Sequence, residues 1–191
     1  MSKIVLASHN ENKVREFRQI LSSEKIISLN DIGFKKEIKE TGFTLEENAL
    51  IKVRKVFNFS NKISISDDSG LEIFFLNGEP GVYSARYSGL NARPIDNINK
   101  ILKKLGDTSM RKARFRTVIA FKDIKQEKLF EGVVDGKISK KIRGLSGFGY
   151  DPIFIPDQFD CTFSEMSSDL KNKISHRSLA IKKLQQFINS R

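Results

Sequence analysis

Apolar residues along this chain recur at two spacings, and the spacings alternate. Lys3–Ser8 opens with an apolar, β-branched run that reads as a short buried first strand. The polar stretch Ser8-His9-Asn10-Glu11-Asn12 leads into a helix expected near Lys13–Leu21, whose Val14, Phe17, Ile20 and Leu21 share one face. Thr44 followed by Glu47 is a capping-box signature. The helix it opens runs to about Phe59, with Leu45, Ala49, Val53, Val56 and Phe57 on the core side. Ile63–Ser66 reads as a strand stopped by Asp67-Asp68-Ser69-Gly70, and Leu71–Leu76 as a second strand pairing forward through Asn77-Gly78. Pro94 and Gly106 bracket a third helix. Lys112–Lys122 and Leu129–Ile138 read as long strands around a turn at Asp123–Gln126. A last helix begins near Ser175 and turns Ala180, Leu184, Phe187 and Ile188 inward. Strands alternating with helices predict an α/β fold around a mixed sheet.

Composition adds few constraints. A chain of 191 residues fits one domain, and the absence of a linker or low-complexity segment predicts a single domain over 1–191. The lone Cys161 offers no internal disulfide and no metal-ligand spacing. Neither a signal peptide nor an apolar run of membrane-spanning length is visible, so a cytoplasmic protein without a membrane partner is expected. Thirty-four Lys and Arg against 23 Asp and Glu leave a net charge of +11, which favours anionic partners. The basic residues are scattered, with no arm, basic helix or zinc-finger pattern, so charge alone does not choose between nucleotide, nucleic acid and membrane.

Five clusters carry candidate chemistry. Ser8, His9, Asn10, Glu11, Asn12 and Lys13 lie between a strand and a helix N-terminus, a position whose free N–H groups and dipole suit a phosphate. The segment has no Gly and is neither a P-loop nor a dinucleotide fingerprint. Glu40 with Asn48 and Lys52 forms the second, the last two sharing a helix face offset from the apolar stripe; solvent exposure is the bland reading of that face. Asp67-Asp68-Ser69-Gly70 is the third. Adjacent carboxylates repel unless a cation neutralises them, and Mg²⁺, which takes one or two carboxylates with substrate phosphates and water, could be held by Glu40 and Asp68. The fourth, Gly144 to Pro152, sets three glycines around Phe148, where a ring could stack on a base. The fifth is Lys171 with Ser175-His176-Arg177, donors for a base edge or a phosphate. Each cluster alone also has an ordinary structural explanation.

Their order along the chain is more specific. Ser-x-Asn-x-x-Lys, Glu-Thr-Gly (40–42), Glu-Asn-Ala (47–49) with Lys52, Asp-Asp-Ser-Gly-Leu (67–71), Pro-Gly-Val-Tyr-Ser-Ala-Arg-Tyr (80–87), Gly-Phe-Gly-Tyr-Asp-Pro (147–152) and Ile-Ser-His-Arg (174–177) follow one another. This series closely resembles the inosine triphosphate pyrophosphatase family, the dITP/XTP diphosphatases of the HAM1 type, over nearly the whole chain. His9 with Glu11-Asn12 departs from the small residues that bacterial relatives often carry there. The resemblance implies an α/β fold with a central mixed sheet, flanking helices and two lobes around a nucleotide-binding cleft, usually as a homodimer. It implies Mg²⁺-dependent hydrolysis of deaminated purine nucleoside triphosphates (ITP, dITP, XTP) to the monophosphate and pyrophosphate, sanitising the nucleotide pool. By the same resemblance Ser8, His9, Asn10, Glu11, Asn12 and Lys13 contact the triphosphate, and Lys52 is a phosphate contact in the catalytic group. Asp68 is the water-activating base and a metal ligand, Glu40 a metal ligand, and Ser69 a substrate contact. Phe148, Gly149, Tyr150, Asp151, Lys171, His176 and Arg177 bind the base. The rival from another class is a nucleotide or nucleic-acid binding module without catalysis; no stable nucleic-acid partner is expected.

Overall fold

In the computed structural model, which describes residues 3–191, the first apolar run forms β1 (Lys3–Leu6). Its side chains alternate between two apolar clusters, Ile4 and Leu6 in one and Val5 with neighbouring Ala7 in the other. A strand covered on both faces gives that pattern. The first helix, α1 (Glu11–Ile20), starts ahead of the expected Lys13 because Asn10 caps it. The Asn10 side chain accepts the N–H groups of Asn12 and Lys13 at 3.0 and 3.3 Å. After α1 a short strand absent from the sequence reading, β2 (Lys25–Ile27), pairs parallel with β1 in the register Ile4↔Ile26. Three residues are too few for a periodicity to show.

Helix α2 (Leu45–Ser60) begins where the capping box predicted, with Thr44 Oγ1 accepting the Glu47 N–H at 3.1 Å. Asn48 and Lys52 are buried along with Leu45, Ala49, Val53 and Val56, so the face that sequence alone would leave to solvent is an inward one. The largest revision concerns the next element. Instead of two strands broken at Asp67–Gly70, one strand, β3 (Ser64–Ile73), runs straight through the acidic pair. The expected turn at Asn77-Gly78 exists, with φ of 52° and 87°. It follows a single turn of 3₁₀ helix (Phe74–Leu76) and leads to one isolated bridge, Glu72↔Pro80, in place of a hairpin partner strand.

The rest of the chain supplies α3 (Pro94–Leu105), β4 (Lys112–Lys122), β5 (Glu127–Ile138), β6 (Phe154–Pro156), α4 (Ser168–Ile174) and α5 (His176–Asn189). The short elements β6 and α4 were not read from the sequence. The fold is α/β with a mixed six-stranded sheet in the order β2-β1-β3-β4-β5-β6. β1 lies parallel to β2 and β3, and β6 antiparallel to β5.

The contacts divide the chain into two compact units, and β3, β4 and β5 each contribute part of their length to both. The first unit comprises residues 1–68, 117–132 and 177–191. There α1 and α5 cover the sheet through Phe17, Ile65, Phe121 and Leu184, while Val56 of α2 packs with Val5, Leu29 and Phe34 in a separate cluster. The second unit has its own core of Ile73, Ile101, Phe115, Tyr150, Phe154 and Phe163.

In the first unit Glu127 closes the β4–β5 hairpin onto α2. Its carboxylate takes Arg54 Nη2 at 2.7 Å and Lys122 Nζ at 2.8 Å. Hydrogen bonds from Arg54 and Lys122 hold its carboxyl down at about 2 from the usual 4.5. A carboxylate whose pKa is depressed on folding contributes stability above its unfolded pKa and loses it as pH falls through the folded one. Glu127→Gln is therefore expected to cost about 1 kcal/mol at pH 7, given the exposed Arg54. The difference from the unchanged protein should close between about pH 4.5 and 2. Urea midpoints measured across that range check it; a gap that stays constant with pH would refute it.

Candidate active site

Alternation along β3 decides what the two adjacent aspartates do. Ile65 and Asp67 point to the side of α1 and α5, and Ser66 and Asp68 to the side of α2. Ser66 Oγ donates to the Ala49 carbonyl of α2 at 2.6 Å. Asp68 reaches two further residues of α2, accepting from Lys52 Nζ at 2.8 Å and from Asn48 Nδ2 at 3.4 Å. Asp67 meets Lys13 Nζ at 3.0 Å and Arg177 Nε at 3.1 Å. The like-charge repulsion inferred from the sequence is thus relieved by separation across the sheet and by separate cations.

On the α2 side, Lys52 Nζ lies between Asp68 Oδ1 and Glu40 Oε1, at 2.8 and 2.6 Å. Burial pushes the Asp68 carboxyl above its ordinary range; Lys52 opposes this and the Glu40 charge adds to it. The Lys52 pKa is raised as well: burial disfavours its charge, but Asp68, Glu40 and Asp67 outweigh burial. Asn48 is fully buried, and its Oδ1 accepts the Gly42 N–H at 2.8 Å. A Cβ on Gly42 would lie 2.8 Å from that oxygen and 2.6 Å from Glu47 Cβ, so a glycine lets the Glu40–Gly42 segment press against α2. Gly42 and Asn48 support the site by placing Glu40 and Asp68, which spacing alone does not reveal.

Two carboxylates converging on one cation fit Mg²⁺, which keeps several waters and takes substrate phosphate oxygens besides. Among the described residues no three acidic, His or Cys side chains gather into an all-protein metal cage. Glu40 and Asp68 are the pair with the right donor chemistry.

On the opposite side, Asp67 and Arg177 are almost wholly buried. Burial would raise the Asp67 carboxyl, yet Lys13, Arg177 and Lys52 together hold it well below the usual carboxylate range. Arg177 carries a second carboxylate, Glu16 Oε2, 2.5 Å from Nη1. Despite burial, the two carboxylates raise its pKa above that of a free guanidinium. In this structure the Arg177 guanidinium engages Glu16 and Asp67. Glu16 was missed by sequence reasoning. The available signal was an acidic residue next to the buried Phe17, one turn from Lys13 on the same helix.

The strand-to-helix segment is more occupied than a bare helix N-terminus. Asn10 already takes two of the first-turn N–H groups, and Ser8 Oγ accepts the Asn10 N–H at 3.1 Å. His9 and Glu11 approach Asn30, at 3.3 and 3.4 Å, which accounts for the departure at these positions as a local tie to the turn Asn30–Ile32. Asn12 and Lys13 are half-buried, and Lys13 brings the positive charge.

In the second unit, the Gly-rich turn is closed by Asp151, which accepts the Phe148 N–H at 2.8 Å and Lys171 Nζ at 2.7 Å. A Cβ on Gly147, whose φ is +80°, would lie 2.3 Å from Asp151 Oδ2, so this corner requires glycine. The Lys171 ammonium sits 4.6 Å from the centre of the Phe148 ring. Phe148 and Gly149 are half-buried. Tyr150 is buried in the core, and its hydroxyl donates to the Ser84 carbonyl at 2.7 Å. His176 is likewise buried, its ring stacked on Phe115 at 4.4 Å. Ser69, half-buried, follows Asp68 on β3.

Known proteins resemble this chain over its length. The Ham1 family matches residues 4–187. The dITP/XTP pyrophosphatase of Bacillus licheniformis is 46% identical over 194 residues, covering 99% of each chain. The Ham1 protein of Staphylococcus aureus superposes with a TM-score of 0.89 at 43% identity, over 98% of each chain. The Ham1 protein of Coxiella burnetii gives 0.91 at 38% identity over the full length of both.

Proposed function

This chain belongs to the Ham1 family, and on that premise we propose that it is an enzyme that hydrolyses deaminated purine nucleoside triphosphates to the monophosphate and pyrophosphate. The observation that carries the reading is the trio Glu40–Lys52–Asp68, a pair of carboxylates and an ammonium gathered on one side of β3. The reaction is NTP + H₂O → NMP + pyrophosphate. It needs charge neutralisation along the phosphates, an oriented water and a stable leaving group. Lys13 and Lys52 provide positive charge for the phosphate chain. Glu40 and Asp68 are the residues that would hold Mg²⁺, which would supply charge neutralisation at the phosphate oxygens. Asp68 orients the water that attacks the α-phosphorus; its proton-accepting role is secondary, because a carboxylate bound to a metal is a weak base. Asn48 fixes the rotamer of that carboxylate.

For the base, the second unit offers the Phe148 ring and the Lys171 donor held beside it by Asp151. Stacking of a base on an aromatic ring contributes about 1–3 kcal/mol. A donor facing C6 suits the carbonyl of hypoxanthine or xanthine and conflicts with the amino group of adenine. An unpaired buried polar group costs about 1–3 kcal/mol. The family resemblance further supports a homodimer. A cytoplasmic location is supported by the single thiol, Cys161; among the described residues no helix is long and apolar enough to cross a membrane.

A triphosphate panel with Mg²⁺, read for pyrophosphate and orthophosphate separately, tests this proposal. ITP and XTP should release pyrophosphate at least about tenfold faster than GTP, with GTP no worse than ATP. Orthophosphate as the main product, or equal turnover of ATP and ITP, would overturn it.

A further inference from the structure

None of the phosphate or base contacts proposed above comes from residues 80–87, although Pro-Gly-Val-Tyr-Ser-Ala-Arg-Tyr is one of the ordered motifs. Within it Ser84 lies in a 3₁₀ helix (Gly81–Arg86) and is 8% exposed. The Ser84 hydroxyl donates to the Gly81 carbonyl at 2.6 Å. With its proton so committed, the same oxygen accepts the Leu71 N–H of β3 at 2.9 Å. The Ser84 carbonyl accepts the Tyr150 hydroxyl at 2.7 Å. Burial pushes that hydroxyl above its ordinary range, so it stays protonated and remains a donor. Buried Asn97 of α3 steadies the turn that follows, Nδ2 donating to the Ala85 carbonyl at 3.2 Å and Oδ1 accepting the Ser88 N–H at 2.7 Å.

One residue thus bonds two parts of the second unit that are distant in sequence, β3 through its side chain and the Gly-rich turn through its main chain. Covalent geometry fixes the separation of a serine's Oγ from its own carbonyl oxygen once the rotamer is set. The Leu71 N–H and the Tyr150 hydroxyl are therefore held in register. Each lies close in sequence to the proposed site. Ser69 stands two residues before Leu71 on β3. Phe148 stands two before Tyr150, whose neighbour Asp151 holds the Phe148 N–H and Lys171. We infer that Ser84 is a positioning residue, acting through Leu71 and Tyr150 to set β3 at Ser69 against the Phe148 ring and the Lys171 donor, the spacing at which the base is read. The inference rests on the proposed roles of Phe148 and Lys171 in binding the base.

Ser84→Ala removes the acceptor of the Leu71 N–H and so opens this link at β3. The kcat/KM for ITP and XTP should fall about tenfold, the effect of leaving one buried donor unpaired. That for ATP should fall by no more than about twofold, so the preference for ITP over ATP narrows. The inhibition constant of inorganic tripolyphosphate, a probe without a base, should stay within about twofold of its value in the unsubstituted protein. Tyr150→Phe opens the link at its other end, should give the same pattern, and serves if Ser84→Ala folds poorly. Because both substitutions cut one link, the double variant should lose little more than the worse single one. An unchanged kcat/KM for ITP, an equal loss for ITP and ATP, a matching loss of tripolyphosphate inhibition, or losses that multiply in the double variant would overturn the inference. Failure of the unsubstituted protein to release pyrophosphate from ITP would instead remove the proposed function, so the two failures are separable.

Discussion

Asp68→Asn is expected to lower kcat for ITP by about 10²–10³ while leaving thermal stability near that of the unsubstituted protein. The amide keeps the shape of the carboxylate and can still meet Lys52. It cannot accept the proton of the attacking water, and it contributes no charge to a bound metal. Loss of one transition-state electrostatic contact is worth about this factor. Asp67→Asn provides the contrast. Asp67 is buried between Lys13 and Arg177, so its neutralisation should cost stability first. Melting temperature and kcat, measured on both variants, give opposite orders of severity if the assignment is right. Equal, mild losses of kcat in two folded variants would remove Asp68 from the chemistry.

Arg177→Ala should be among the most destabilising single substitutions in the protein. It withdraws the guanidinium from two buried carboxylates, Glu16 and Asp67. Removing one partner from a buried ionic cluster costs about 3–5 kcal/mol, because the remaining charges stay desolvated. For a domain of this size that corresponds to a fall in Tm of roughly 10 °C. Arg177→Lys keeps the charge but cannot span both carboxylates, so a smaller loss is expected. Differential scanning calorimetry of both variants reads the effect directly. An unchanged Tm accompanied by an altered preference between XTP and GTP would place the guanidinium on the base after all.

The long elements were legible because their signals are local. Thr44 with Glu47 marked the start of α2, Pro94 and Gly106 bracketed α3, and β4 carries its apolar period over eleven residues. The order of short motifs identified the family, since residues that touch a common substrate leave a linear record even when they lie on separate elements. Elements of three residues, β2 and β6, left no such record, because partners far along the chain determine whether so short a segment extends.

The acidic segment shows the limit most clearly. By local propensity Asp67-Asp68-Ser69-Gly70 is a turn, and Asp is disfavoured in strands. Tertiary structure overrides this because Lys13 and Arg177 neutralise one carboxylate and Lys52 the other on opposite sides of β3. The sequence by itself determined the fold class and the helix boundaries set by caps, and it singled out Glu40, Lys52, Asp68, Phe148 and Lys171 as candidates for the site. Only the tertiary structure decided that Asn48 and Lys52 face inward, that Tyr150 and His176 are buried, and that Arg177 belongs with Glu16 and Asp67. Those assignments depend on which distant charges and apolar surfaces meet. A side chain's pairing is fixed by the lowest-cost neutralisation of buried charge, a quantity that does not exist until the chain has folded.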